Sequence, residues 1–123
     1  MFSFICWNVR SINTFGALER LINLKKIHKL SMIAILEPFA NQCQLEFYRM
    51  KLLMEGCYSN SNNKIWIFWN SDIKCKVVDT NHQLITMEIN HDECTDQFNI
   101  TFVYAKCKEH LRRPLWGRLI QFV

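Results

Sequence analysis

With 123 residues, the chain has the length of one domain and enough material for a hydrophobic core. Half of the residues are hydrophobic and 13% are aromatic, which excludes intrinsic disorder, while 3 Gly and 2 Pro exclude a loop-rich scaffold. A net charge of +4 permits an acidic partner such as nucleic acid without requiring one.

Residues 2–8 read as a first strand, an apolar run through Trp7 that stops at Asn8. "FGALERLINLKKIHKL", residues 15–30, has helical spacing: Ala17, Leu21 and Leu24 share a stripe, with Leu18 and Ile22 beside it. Thr14 is the expected N-cap, and Glu19 near the start with Lys25, Lys26 and Lys29 near the end suits the helix dipole. His28 falls on the apolar stripe and reads as a partly buried helix-end residue.

"SMIAILEP", residues 31–38, is a continuous apolar run closed by Pro38, the pattern of a strand buried on both faces. Strand, helix and buried strand in succession predict a βαβ unit with a parallel pair. Residues 42–54 read as a second helix with Leu45, Tyr48 and Leu52 along one side, and "EGCYSNSNN" breaks it with clustered turn residues.

The pattern then changes. "KIWIFWN", "IKCKVVD", "QLITMEIN" and "QFNITFVYA" are strand-like runs separated by short polar turns, an antiparallel block. In the first of them Trp66 and Phe68 share one face and Ile65, Ile67 and Trp69 the other, so it expects cover on both sides. "EHLRRPLWGRLIQFV" closes the chain as a predicted helix whose first turn tolerates Pro114. No internal repeat, low-complexity segment or linker divides residues 1–123, which read as one domain.

The 6 Cys include no Cys-x-x-Cys pair, which argues against a structural zinc site. Met1 is followed by apolar residues without a basic n-region or a small-residue cleavage site, so free thiols in a reducing compartment are expected. The longest apolar runs, "MIAIL" and "IWIFW", are too short to cross a bilayer. A soluble intracellular chain with no membrane partner is the expectation.

In α/β folds, ligands bind at the carboxyl ends of parallel strands. Asn8 and Glu37 stand there, and an amide oxygen beside a carboxylate suits a hard cation such as Mg²⁺. The bland alternative makes Asn8 a turn residue and Glu37 a solvated strand end. Tyr104 ends the last strand, where its ring could join the core or its hydroxyl could reach a phosphate. Arg112 and Arg113 could grip phosphate or form salt bridges on a helix surface.

Taken in order, "CWNVRSIN" at 6–13, "ILEPF" at 35–39, "KIWIFWN" at 64–70, "FVYAKC" at 102–107 and "RRPLW" at 112–116 give the chain a recognisable whole. It resembles the endonuclease/exonuclease/phosphatase superfamily, in the form carried by LINE-type (non-LTR) retrotransposons, those of plants especially. The resemblance implies an α/β fold with a mixed sheet and flanking helices: the N-terminal half of a four-layer α/β sandwich. It also implies a Mg²⁺-dependent nuclease acting on DNA in the nucleus. Asn8 would be the active-site Asn and Glu37 the metal-binding Glu, although Leu36 and Pro38 replace the Gln and Thr that commonly flank it. Tyr104 would hydrogen-bond the scissile phosphate, and Arg112 or Arg113 would contact the DNA backbone.

The family's Gly-Asp-Phe-Asn motif does not occur, and His110 precedes the Arg pair, unlike the family's C-terminal His. A catalytically incomplete half-domain is therefore expected. Its alternative is a non-catalytic retrotransposon-derived fragment that binds nucleic acid or a second chain supplying the other half. With an opposing sheet largely missing, at least one of Trp66, Phe68 and Trp69 should be markedly exposed.

Overall fold

The computed structural model describes residues 2–91 and 96–105. The predicted βαβ unit forms. β1 (Phe4–Asn8) and β2 (Met32–Leu36) run parallel, from Phe4 opposite Met32 to Asn8 opposite Leu36, and α1 (Ala17–His28) connects them. Ala17 and Leu21 are buried, and Leu18, Ile22 and Leu24 pack beside them.

The start of α1 differs from expectation. Thr14 belongs to the preceding turn, where its N–H bonds the Ser11 carbonyl and its own carbonyl accepts from Ala17. Gly16 caps the helix with φ 82°, a left-handed conformation that glycine adopts without steric cost. His28 is exposed rather than partly buried, because the apolar stripe rotates away from it in the last turn.

The predicted helix over 42–54 is shorter and split. A 3-10 turn (Gln42–Gln44), capped by the Asn41 side chain accepting from the Cys43 N–H at 3.1 Å, leads into α2 (Leu45–Lys51). Leu53 takes φ 55° and ends the helical run. Tyr48 and Leu52 are buried and Leu45 is partly buried against them, as their spacing predicts.

The "EGCYSNSNN" stretch contains a strand that composition conceals. β3 (Gly56–Ser59) pairs antiparallel with β4 (Ile65–Trp69), placing Gly56 opposite Trp69. The Trp69 ring lies against the Gly56 backbone so closely that a Cβ there would stand 2.3 Å from a ring carbon. β4 also pairs antiparallel with β2, giving a mixed sheet in the order β1-β2-β4-β3.

The remaining strands form a second sheet. β5 (Ile73–Thr80), β6 (Leu84–His91) and β7 (Phe98–Val103) are antiparallel, in the order β5-β6-β7. The antiparallel block of the sequence is thus divided between two sheets.

The helices and the second sheet bury the two faces of β4. Trp66 and Phe68 pack with Ile33 and Ile35 beneath α1 and α2, in a core that includes Leu21, Tyr48 and Leu52. Met32, Ala34, Ile65 and Ile67 pack from the opposite face against Ile85, Met87, Ile89 and Phe102 of the second sheet. The described residues therefore form three layers: helices, mixed sheet, antiparallel sheet. The expectation of an exposed ring fails. Trp66 and Phe68 are 0% exposed and Trp69 is half-buried, because this chain itself supplies an opposing sheet. Among the described residues no helix is long and apolar enough to cross a membrane.

Candidate active site

Parallel pairing of β1 and β2 continues past the strand ends. The Val9 N–H bonds the Leu36 carbonyl at 3.1 Å, Ser11 bonds that of Glu37 at 2.9 Å, and Ile12 that of Pro38 at 2.8 Å. On the other side, the Glu37 N–H donates to the Lys64 carbonyl at 2.9 Å and Asn63 Nδ2 to the Ala40 carbonyl at 2.7 Å. Asn63 is itself held by Trp66 Nε1, which donates to its Oδ1 at 2.6 Å. Residues 37–40 are clamped between two neighbouring loops.

The clamp holds strained backbone. Of the seven described non-glycine residues with φ in the left-handed region, Lys29 and Leu53 follow helices. The other five, Arg10, Ser11, Glu37, Phe39 and Asn63, lie in these three loops. Asn tolerates that conformation, but the others cost about 1–2 kcal/mol each. Such residues persist where surrounding contacts over-determine them, and they cluster at functional sites.

The second sheet brings its own strand end to the same place. Past β7, the Tyr104 N–H bonds the Gln83 carbonyl at 2.7 Å, and the Tyr104 hydroxyl donates to Glu37 Oε1 at 2.8 Å. Two residues 67 positions apart in the chain thus meet across the two sheets. Asn8 ends the strand adjacent to Glu37, in register with Leu36. Alternation puts Asn8 on the same side of β1 as Phe4. The Phe4 ring contacts Phe102 of the second sheet, so Asn8 lies on the side from which Tyr104 approaches.

Asparagines missed in the sequence fasten this end of the sandwich. Asn60 is fully buried; its Oδ1 accepts from the N–H groups of Lys64 and Ile65, both at 2.9 Å. Its Nδ2 donates to the Asn81 carbonyl at 3.1 Å, and Asn62 Nδ2 donates to that of His82 at 3.1 Å. The only sequence signal is the "NSNN" run before β4, which turn propensity alone explains. Lys64 was equally hidden: it places its ammonium 5.0 Å from the centroid of the exposed Phe39 ring.

Chemically, the described residues bring to this end the Glu37 carboxylate, the Tyr104 hydroxyl, the Asn8 amide and the Lys64 ammonium. Glu37 accepts from Tyr104 at Oε1, and Asn8 ends the neighbouring strand, in register with Leu36. Among the described residues no three His, Cys, Asp or Glu side chains gather into a group that could hold a metal ion. Arg112, Arg113, His110 and the predicted C-terminal helix lie outside the described residues.

The chain matches no protein-family model and no curated protein. Its own residues and their geometry are what bear on function.

Proposed function

We propose that this chain is part of a Mg²⁺-dependent phosphodiesterase domain that acts on DNA, built as the N-terminal half of a four-layer endonuclease/exonuclease/phosphatase sandwich. The observation that supports this best is the Tyr104–Glu37 hydrogen bond at 2.8 Å, made at the carboxyl end of the parallel pair beside Asn8. In this reading Glu37 and Asn8 hold the cation, Tyr104 orients a phosphate oxygen, and Arg112 or Arg113 contacts the DNA backbone. A bound Mg²⁺ would supply Lewis-acid charge at the phosphate and leaving oxygen. The Tyr104 hydroxyl proton is held by Glu37 Oε1, so donating to a phosphate oxygen would require it to turn from that carboxylate.

The sequence carries no Gly-Asp-Phe-Asn motif to handle the attacking water. Loss of a general base costs about 10²–10⁴-fold in rate. The chain alone is therefore expected to bind DNA in a Mg²⁺-dependent way without nicking it. The test combines filter binding of duplex DNA, with Mg²⁺ or with a chelator, and a supercoiled-plasmid nicking assay. Tighter binding in Mg²⁺, lost in Glu37→Gln, is the expected result. Binding indifferent both to Mg²⁺ and to Glu37→Gln would overturn the cation site. Nicking abolished by Glu37→Ala would show a working enzyme instead. The second reading is a non-catalytic fragment that binds nucleic acid or another chain; Mg²⁺-independent binding would select it.

A further inference from the structure

Phe39 stands in an unusual position. The residue is 53% exposed and its backbone has φ 47°, a conformation that a bulky L-residue rarely adopts. Fold stability does not explain it, since Phe39 belongs to neither core cluster and glycine or asparagine would relieve the strain. The same clamp that fixes Glu37 fixes Phe39. Ile12 bonds the Pro38 carbonyl on one side, and Asn63 bonds the Ala40 carbonyl on the other. The ring is therefore presented to water on a backbone that is already ordered.

Lys64 completes the arrangement. Its ammonium lies 5.0 Å from the Phe39 centroid, and its carbonyl accepts from the Glu37 N–H, so one residue links the ring to the carboxylate. A cation already occupies part of the ring, which disfavours a cationic ligand there. An aromatic surface next to an ammonium suits a ligand that is both planar and anionic. A nucleotide meets both needs, its base against the ring and its phosphate near the ammonium.

We infer that Phe39 and Lys64 form a stacking platform for an unpaired nucleobase beside the Glu37–Tyr104 site. This inference rests on the DNA-binding reading above. It adds that the preferred substrate presents a base outside the duplex stack, single-stranded or extruded, next to the bound phosphate. A paired base keeps both faces covered by its neighbours and offers the ring nothing.

Fluorescence anisotropy tests this with three labelled probes: a short single-stranded oligonucleotide, an abasic strand of equal length, and the duplex. The native chain should bind the base-bearing strand about 5- to 150-fold more tightly than the abasic strand, the range expected for one stacked base. Phe39→Ala should remove that preference while leaving abasic-strand affinity intact, and Phe39→Trp should keep it. Lys64→Gln should weaken both strands and lower the salt dependence of binding. If Phe39→Ala retains the full preference, the platform is wrong while the DNA-binding reading stands. If the native chain binds none of the probes, both fall.

Discussion

The Tyr104 hydroxyl meets Glu37 only because two sheets end side by side, so the pair reports on the tertiary structure through one atom. Hydrogen bonds to charged groups contribute about 1.5–3 kcal/mol, and partial solvent access at both residues places this one near the lower end. A double-mutant cycle of Tyr104→Phe and Glu37→Ala, read by denaturant unfolding, should therefore give a coupling of about 1–2 kcal/mol. Strictly additive losses would mean the contact is not formed in solution. Gly56 makes a second residue-scale case. A methyl there would stand 2.3 Å from the Trp69 ring, so Gly56→Ala should cost about 1–3 kcal/mol of overpacking strain and shift tryptophan emission. Thiols give a third. Burial pushes Cys57 and Cys75 up to about 12, and the Cys57 thiol also donates to Glu46 Oε1 at 3.2 Å. At pH 8 only about one part in ten thousand of such a thiol is thiolate, the nucleophilic form. Iodoacetamide followed by peptide mass mapping should find the exposed Cys43 modified well before Cys57 or Cys75.

At the scale of elements, the β3–β4 hairpin and the β5–β6 turn are joined through Asn60. Asn60→Ala would strip acceptors from two N–H groups and a donor from the Asn81 carbonyl. Each buried polar group left unpaired costs about 1–3 kcal/mol, and water reaching the rim offsets part of this, so a loss of about 2–4 kcal/mol is expected. Asn60→Asp keeps an acceptor for both N–H groups and should lose less; equal losses would show that the side-chain acceptor is not what holds the hairpin. Most elements were visible in the sequence because their periodicity is local. α1 shows its stripe in Ala17 and Leu21, and β4 its two faces in Trp66 and Ile67. β3 was not visible: Gly56 and Ser59 have weak strand preference and pair only because β4 offers them an open edge.

For the whole molecule, the opposing sheet changes what is expected of the isolated chain. Without it, β4 would leave large rings in water and the protein would be molten or aggregation-prone. With Trp66 and Phe68 fully covered on one side and Ile65 and Ile67 on the other, both faces are dry. The chain should therefore unfold in one cooperative transition with loss of near-ultraviolet circular dichroism, and it should not bind a hydrophobic dye before that transition. Dye binding under native conditions, with a gradual melt, would show that the second sheet does not close on the first. At the far end of the sandwich, Ser31 Oγ donates to Asp72 Oδ2 at 2.8 Å, and His91 Nε2 lies 3.2 Å from the same oxygen. Polar contacts thus join the two sheets at both ends of their shared core.

The sequence by itself determined the local order of this protein. Helical and alternating periodicities depend on near neighbours, so α1, α2, β1, β2 and β4–β7, the parallel sense of β1 and β2, and the inward sides of the strands could all be read directly. It also placed Asn8, Glu37 and Tyr104 at strand ends. Beyond the β1–β2 pair, only the tertiary structure decided which strands pair, that the antiparallel run splits after β4, and that Tyr104 crosses to Glu37. The reason is that alternation states which residues share a face but not which partner covers that face. Strand pairing is chosen by contacts between distant residues, whose net gain depends on the whole core closing at once.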